Sequence, residues 1–219
     1  HLAMMQSVQP DGNIKLIVDE WGTWYDVEPG TNPGFLYQQS TMRDAIVAAL
    51  TLNIFNKHAD KIIMANIAQT VNVLQSVILT DGEKMVKTPT YYVFKMYKEH
   101  QNNTLLGSYI TSENIESKND RNKQFPQLIE SASTDENGTI YSTITNTSSV
   151  KSAKIKCQIA DTKVDSIYAE IICGECHDKN DFENQDKVKT VKFTDYKKLK
   201  DGFTSVIPAC SVVKFVINK

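Results

Sequence analysis

Two carboxylates, Asp19 and Glu20, end an apolar run and are followed at once by Trp21, Trp24 and Tyr25. A carboxylate can attack or stabilise an anomeric carbon, and aromatic faces pack on the C–H faces of a sugar ring and keep water out. Acid beside aromatic is therefore the chemistry of a glycoside site, whereas the structural use of the pair is to cap the following turn or to meet a lysine. Gln69 and Asn72 follow a second apolar run, where an amide either satisfies its own turn or contacts a polar ligand. The segment CGECH, residues 173–177, fits the pattern of c-type haem attachment and half of a zinc site. A cytochrome needs a distal ligand and helical wrapping, and zinc needs a fourth ligand that no nearby spacing supplies. Burial as small hydrophobes is the expectation for Cys157, Cys173 and Cys210, with a local Cys173–Cys176 disulfide as the alternative in an exported protein. No metal and no cofactor is expected.

The elements that must position these groups follow from periodicity. Ile14, Leu16, Ile17 and Val18, interrupted by Lys15, read as a strand buried on both faces, as in a parallel sheet under helices. Its carboxylates then lie at the C-terminal strand end, where α/β barrels carry catalytic groups. The stretch DVEPGTNPGFLYQQ, residues 26–39, reads as a loop over that site. Thr41 with Asp44 three later forms a capping-box signal, and Met42, Ile46, Leu50 and Ile54 give the following helix an apolar face, with Arg43, Asn56 and Lys57 on its polar side. Residues 61–68 form a second buried strand, so 14–68 is a β-loop-α-β unit with parallel strands and a right-handed crossover. Residues 74–88 read as a further loop turning at Asp81 and Gly82, and Thr88 with Pro89 opens a helix that runs to about Gln101.

From about Thr104 the period changes to two. In SAKIKCQIAD, residues 152–161, Ala153, Ile155, Cys157 and Ile159 share one face and Lys154, Lys156 and Gln158 the other. The runs TIYSTITN, IYAEIICG, KVKTVKFTDY and CSVVKFVINK repeat the pattern, with turn signals at Asn137-Gly138, Gly174 and Asp201-Gly202. Such spacing predicts an antiparallel β-sandwich.

The segment VDEWGTWYDVEPG, residues 18–30, resembles the nucleophile segment of family 51 glycoside hydrolases, the α-L-arabinofuranosidases, at the end of their seventh barrel strand. Glu20 falls on the family's nucleophile, and Trp24 goes with it as a substrate-binding residue. NIAQTVNV, residues 66–73, resembles the eighth-strand segment, which implies that Gln69 contacts the furanose; Asn72 stays structural. NDFENQDKV and IPACSVVKF resemble parts of the same family's accessory sandwich. The resemblance implies the C-terminal βα part of a (β/α)8 barrel over residues 1–103 and a jelly-roll-like antiparallel β-sandwich over 104–219. It also implies retaining hydrolysis of terminal α-L-arabinofuranosyl residues on arabinan or arabinoxylan glycans. A retaining site needs a second carboxyl group about 5 Å from the nucleophile. The family carries it on the fourth strand, upstream of these segments, and Glu28, Asp81 and Glu83 do not match its motif. The expectation is a C-terminal portion that holds the nucleophile and is inactive alone. Two other readings stand beside it. The sandwich could be a carbohydrate-binding module or a structural support, although Tyr141, Tyr168, Phe182, Phe193, Tyr196, Phe203 and Phe215 are scattered rather than set in a row. A related retaining glycosidase acting on xylosides or glucosides would share the strand-end Glu.

Composition sets the outer bounds. The 219 residues are 41% hydrophobic with a net charge of -2, which gives no basic excess for nucleic acid and no polybasic tail for a membrane surface. No apolar run approaches the roughly 18 residues of a spanning helix, so a soluble bacterial protein is expected, whether cytoplasmic, periplasmic or secreted. The chain starts at His1 without a signal-peptide pattern and reads as truncated there. Unpaired barrel edges predict self-association, and a homo-oligomer is a possible outcome. Sequons begin at Asn102, Asn137 and Asn146 and are given no function.

Overall fold

The computed structural model describes residues 1–117 and 123–219. An exposed helix α1 (Leu2–Val8) precedes strand β1 (Leu16–Trp21), helix α2 (Met42–Lys57) and strand β2 (Ile62–Ile67), and β1 and β2 pair in parallel. Asp44 starts α2 by accepting the backbone N–H of Thr41 at 2.8 Å, the reciprocal half of a capping box. Residues 74–88 are not a plain loop: β3 (Ile78–Asp81) and β4 (Lys84–Lys87) form a hairpin whose turn begins at Gly82, φ +55°. Helix α3 (Pro89–Tyr97) opens on Pro89, where a missing N–H costs nothing.

The remaining strands are β5 (Thr104–Leu105), β6 (Asn114–Glu116), β7 (Gln124–Pro126), β8 (Leu128–Thr134), β9 (Ile140–Asn146), β10 (Ala153–Gln158) and β11 (Ser166–Cys173). After them come β12 (Val191–Lys192), β13 (Tyr196–Lys198), β14 (Gly202–Ile207) and β15 (Ser211–Asn218). A six-stranded sheet in the order β12-β11-β15-β9-β8-β5 faces a three-stranded sheet β10-β14-β13. The run KVKTVKFTDY supplies two short strand pieces rather than one strand, with Phe193 between them buried in the core. Phe203 and Phe215 stack at 4.2 Å in that core with Leu128, Ile144 and Ile217 around them. Gly202 is required by its neighbour, because a Cβ there would collide with the carbonyl oxygen of Cys157.

The other face of the six-stranded sheet carries α2 and α3. Met42, Ala45, Ala48, Ala49, Val93 and Met96 pack there with Ile172 and Val212, the alanines letting the helix approach closely. Farther along, the seam is polar. The Asn53 amide donates to the Ile129 carbonyl and the Thr145 hydroxyl, each at 3.2 Å, and accepts from Ser131 and Thr143, each at 2.8 Å. Asn56 reaches Ser131 at 3.0 Å and Lys57 pairs with Glu130 at 2.5 Å. Periodicity assigns Ile54 to the apolar face and Asn56 and Lys57 to the polar one; Ile54 is exposed, and Asn53, Asn56 and Lys57 face the sheet because hydroxyls line it there.

Strands β1 and β2 depart from expectation as well. Neither is buried on both faces: each carries exposed positions, with the consecutive Ile63 and Met64 of β2 62% and 52% exposed. One face rests on the helices, and the other is open to solvent in this chain. No helix among the described residues is long and apolar enough to cross a membrane.

His100 sits in the same seam, its ring nitrogens 2.8 Å from the Ser133 hydroxyl and 3.0 Å from that of Thr143. Burial, helped by the Lys214 charge, lowers its pKa from 6.5 to about 4. The unfolded chain therefore binds more protons between those values, so His100 contributes stability above pH 6.5 that is lost as pH falls toward 4. Urea denaturation across that range should show a shallower decline for His100→Gln than for wild type; equal slopes would refute the assignment. Asn53→Ala leaves several buried hydroxyls short of a partner and should cost about 2–3 kcal/mol in the same assay.

Candidate active site

Parallel pairing sets the geometry of the site. Trp21 of β1 is in register with Ile67 of β2, and the Ala68 N–H donates to the Trp21 carbonyl at 2.7 Å. Glu20, one residue before the end of β1, and Gln69, two residues after β2, therefore share one carboxyl edge of the sheet, and both are exposed. Trp24, 70% exposed, lies on the segment leaving β1. Trp21 is not part of this group. Its ring stacks on Phe94 at 6.0 Å and meets Phe55 edge-on at 5.5 Å, on the helix side of the sheet. The register shifts between Val18 and Trp21, so the tryptophan turns into the core while the acid before it stays in solvent.

A buried polar clamp holds the segment behind the acid. The Thr23 N–H donates to Gln75 Oε1 and its hydroxyl to Asp44 Oδ1, both at 2.6 Å. Gln75 Nε2 donates to the Asp44 carbonyl at 2.9 Å. Gln38 Nε2 donates to the Thr23 hydroxyl at 3.2 Å, while its Oε1 accepts the Tyr25 N–H at 2.8 Å. Gly22 permits this approach, since a Cβ there would lie 2.9 Å from Gln75 Oε1. The Arg43 guanidinium covers the Tyr25 ring, Cζ 3.7 Å from the centroid. Burial raises the Tyr25 phenol above its usual pKa of 10.0, Asp44 adds to the rise, and Arg43 opposes it.

The remaining candidates divide. Asn72, at φ +59°, clasps Thr80, accepting its N–H at 2.8 Å and donating to its carbonyl at 3.0 Å, a structural use. Glu28 accepts the Gln39 N–H at 2.9 Å and closes its own loop, and Asp81 and Glu83 lie exposed on the hairpin turn. Asn180, buried, donates to the carbonyls of Lys87 and Val188 and so ties β4 to the sandwich. Within CGECH, Cys173 and His177 are exposed, whereas Cys176 turns toward Cys210, and all four cysteines are free. Among the described residues no three His, Cys, Asp or Glu side chains are grouped to hold a metal ion. Sequence reading missed the clamp: Asp44 is visible as a cap, but Gln38 and Gln75 lie in aperiodic stretches that carry no signal of burial.

A parallel βαβ unit with an acid and an aromatic at its carboxyl edge, backed by a β-sandwich, defines the C-terminal portion of a barrel-type glycoside hydrolase. The family model described as alpha-L-arabinofuranosidase C-terminal domain matches residues 19–211, and the chain belongs to that family. It is 43% identical over 214 residues to the intracellular exo-alpha-L-arabinofuranosidase of Bacteroides ovatus, a match covering 97% of this chain and 41% of that protein. The crystal structure of the GH51 arabinofuranosidase from Xanthomonas axonopodis pv. citri superposes with a TM-score of 0.94 at 38% identity, covering all of this chain and 44% of the other. The arabinose complex of the Thermotoga maritima alpha-L-arabinofuranosidase shares the fold at TM-score 0.81 and 23% identity, over 99% of this chain and 46% of that one. This chain thus spans less than half the length of each.

Asp44 serves the helix cap and the clamp together, so its variants grade the site. Asp44→Ala should destabilise the chain by about 3 kcal/mol and Asp44→Asn by about 1 kcal/mol, measured by denaturant titration. An Asp44→Asn loss as large as that of Asp44→Ala would show that the one oxygen Asn retains holds nothing, and no loss with Asn would show that the second oxygen does not matter.

Proposed function

We propose that this chain supplies the nucleophile side of a retaining α-L-arabinofuranosidase site, with Glu20 as nucleophile and Trp24 and Gln69 as furanose contacts. The observation that carries this reading is the exposed Glu20 at the carboxyl edge of β1, sharing that edge with Gln69 across a parallel pair. Glu20 attacks the anomeric carbon in line with the departing oxygen. A general acid protonates that oxygen, and the same group then activates water to release the sugar. Trp24 packs on the sugar's C–H face and excludes water, and the Gln69 amide holds ring hydroxyls. The clamp on Thr23 fixes the segment that joins acid to aromatic, which preserves the alignment in-line displacement needs.

The general acid is not assigned to this chain, because Glu28 is committed to its loop, and Asp81 and Glu83, exposed on the hairpin turn, do not match the family's acid/base motif. The chain alone is accordingly inactive in this proposal, and its substrate class is arabinan or arabinoxylan glycan when the remaining barrel strands are joined to it. We divide it at residues 103 and 104, barrel part before and sandwich after. The sandwich serves as support rather than as a binding module, since Phe193, Phe203 and Phe215 lie in its core.

Joined to the preceding part of a family 51 enzyme, the chain should hydrolyse 4-nitrophenyl α-L-arabinofuranoside, and Glu20→Ala should lower kcat by roughly 10³-fold or more. Azide added to that variant should yield the inverted β-glycosyl azide, the product expected when the nucleophile is missing. A retained azide product would assign Glu20 as acid/base instead, and full activity from the isolated chain would overturn the division of the site.

A further inference from the structure

Two thiols meet where the sandwich caps the barrel helix. Cys176 lies in the turn after β11 and Cys210 in the turn before β15, 34 positions apart in the chain, with Sγ atoms 3.7 Å apart. Each backbone is held in place. The Cys176 carbonyl accepts the Arg43 N–H at 3.0 Å and the Asp178 carbonyl accepts the Met42 N–H at 2.9 Å, so the Cys176 turn caps α2. The Asp178 carboxylate accepts the Glu175 N–H at 2.9 Å and pairs with Lys187 at 2.7 Å, which closes that turn on itself. On the other side the Cys210 N–H donates to Ser148 at 2.7 Å, and Cys210 adopts φ +45°, a left-handed conformation that glycine would meet without cost. A cysteine held there places a thiol against Cys176. Closure brings the sulfurs from 3.7 Å to the about 2.05 Å of a disulfide.

We propose that Cys176 and Cys210 are a reversible dithiol modification site, closed to a disulfide by exchange with a low-molecular-weight disulfide such as oxidised glutathione. The partly exposed Cys176 reacts first. Its thiolate attacks one sulfur of the oxidant, forming a mixed disulfide and releasing one thiolate, which takes up a proton. The Cys210 thiolate then attacks the Cys176 sulfur, the second small thiol leaves, and the protein has lost two protons and two electrons to the oxidant. Burial and the neighbouring Cys176 push the Cys210 thiol up to about 12, which makes this second step the slow one. Cys173, exposed at the end of β11, and Cys157, on the sandwich core, stay outside the pair. Closure links the cap of α2 to the first residues of β15, joining helix and sheet covalently where hydrogen bonds already join them.

The test is oxidation of the folded chain with oxidised glutathione, followed by alkylation, trypsin digestion and mass spectrometry. Peptide 164–179, which holds Cys173 and Cys176, should appear crosslinked to peptide 201–214, which holds Cys210, and two of the four thiols should be lost to alkylation. The crosslink should survive Cys173→Ser and vanish in Cys176→Ser. The same oxidation in concentrated guanidinium should scatter the pairing. A Cys173–Cys176 bond in the folded chain, glutathione adducts without the crosslink, or full retention of four thiols would each overturn the proposal. Because wild-type peptides carry the readout, the outcome does not depend on whether a variant folds.

Discussion

The structure turns on a buried carboxylate. Asp44 has no exposed surface, yet both of its oxygens are used, one by the Thr23 hydroxyl and the other by the Thr41 N–H and hydroxyl. Its charge lies in the first turn of α2, at the positive end of the helix dipole, and the Arg43 guanidinium stands 3.6 Å away. A buried anion is tolerable under those conditions, and it ties the segment leaving β1 to the helix behind it, while the backbone carbonyl of the same residue takes Gln75 from the segment after β2. Few single groups in the molecule link the site edge to the core so directly.

The six-stranded sheet is the second organising feature, because it is buried from both sides by different chemistries. Toward β10, β13 and β14 it presents phenylalanine, isoleucine and leucine, a nondirectional contact whose strength follows apolar area. Toward α2 and α3 it presents Ile172 and Val212 at one end and, farther along, serine, threonine, Lys214 and Glu170, the last two paired at 2.8 Å. Hydrogen bonds tolerate little sliding, so the polar seam fixes where each helix residue sits along the strands. The apolar contacts on both sides supply much of the adhesion and the polar seam the alignment.

Much of this organisation was legible in the sequence, and the exceptions share a cause. The period-two run around Ile155, the Thr41 and Asp44 cap, the Pro89 helix start and the parallel β1-α2-β2 unit all announce themselves through local pattern. What escaped depends on contacts between distant residues. Asn56 and Lys57 read as solvent-facing because nothing local shows that a strand more than 70 residues away carries a hydroxyl and a glutamate opposite them. Trp21 reads as a site aromatic because a register shift is invisible in composition. Gln38 and Gln75 read as loop residues, and Cys176 found its neighbour 34 residues on rather than three residues back. At the edge itself, residue type left Asp19 beside Glu20 and Asn72 beside Gln69, the family resemblance chose Glu20, Trp24 and Gln69, and the groups that hold their segment came from tertiary structure.

The capping of α2 by the turn at Cys176 and Asp178 has a consequence for the order in which the molecule is made. The strand with Glu20 and the helix after it leave the ribosome more than a hundred residues before that turn does, and the central strand β15 comes later still. Long-range pairings of this kind form late, since chain entropy opposes them until both partners exist. During synthesis the first turn of α2 therefore keeps open amides, and Asp44 lacks the settled helix that makes its burial tolerable. The strand edge with Glu20 does not become rigid until β15 has been translated and has entered its sheet. A nascent chain interrupted within the sandwich would carry every residue of the edge without a fixed place for any of them.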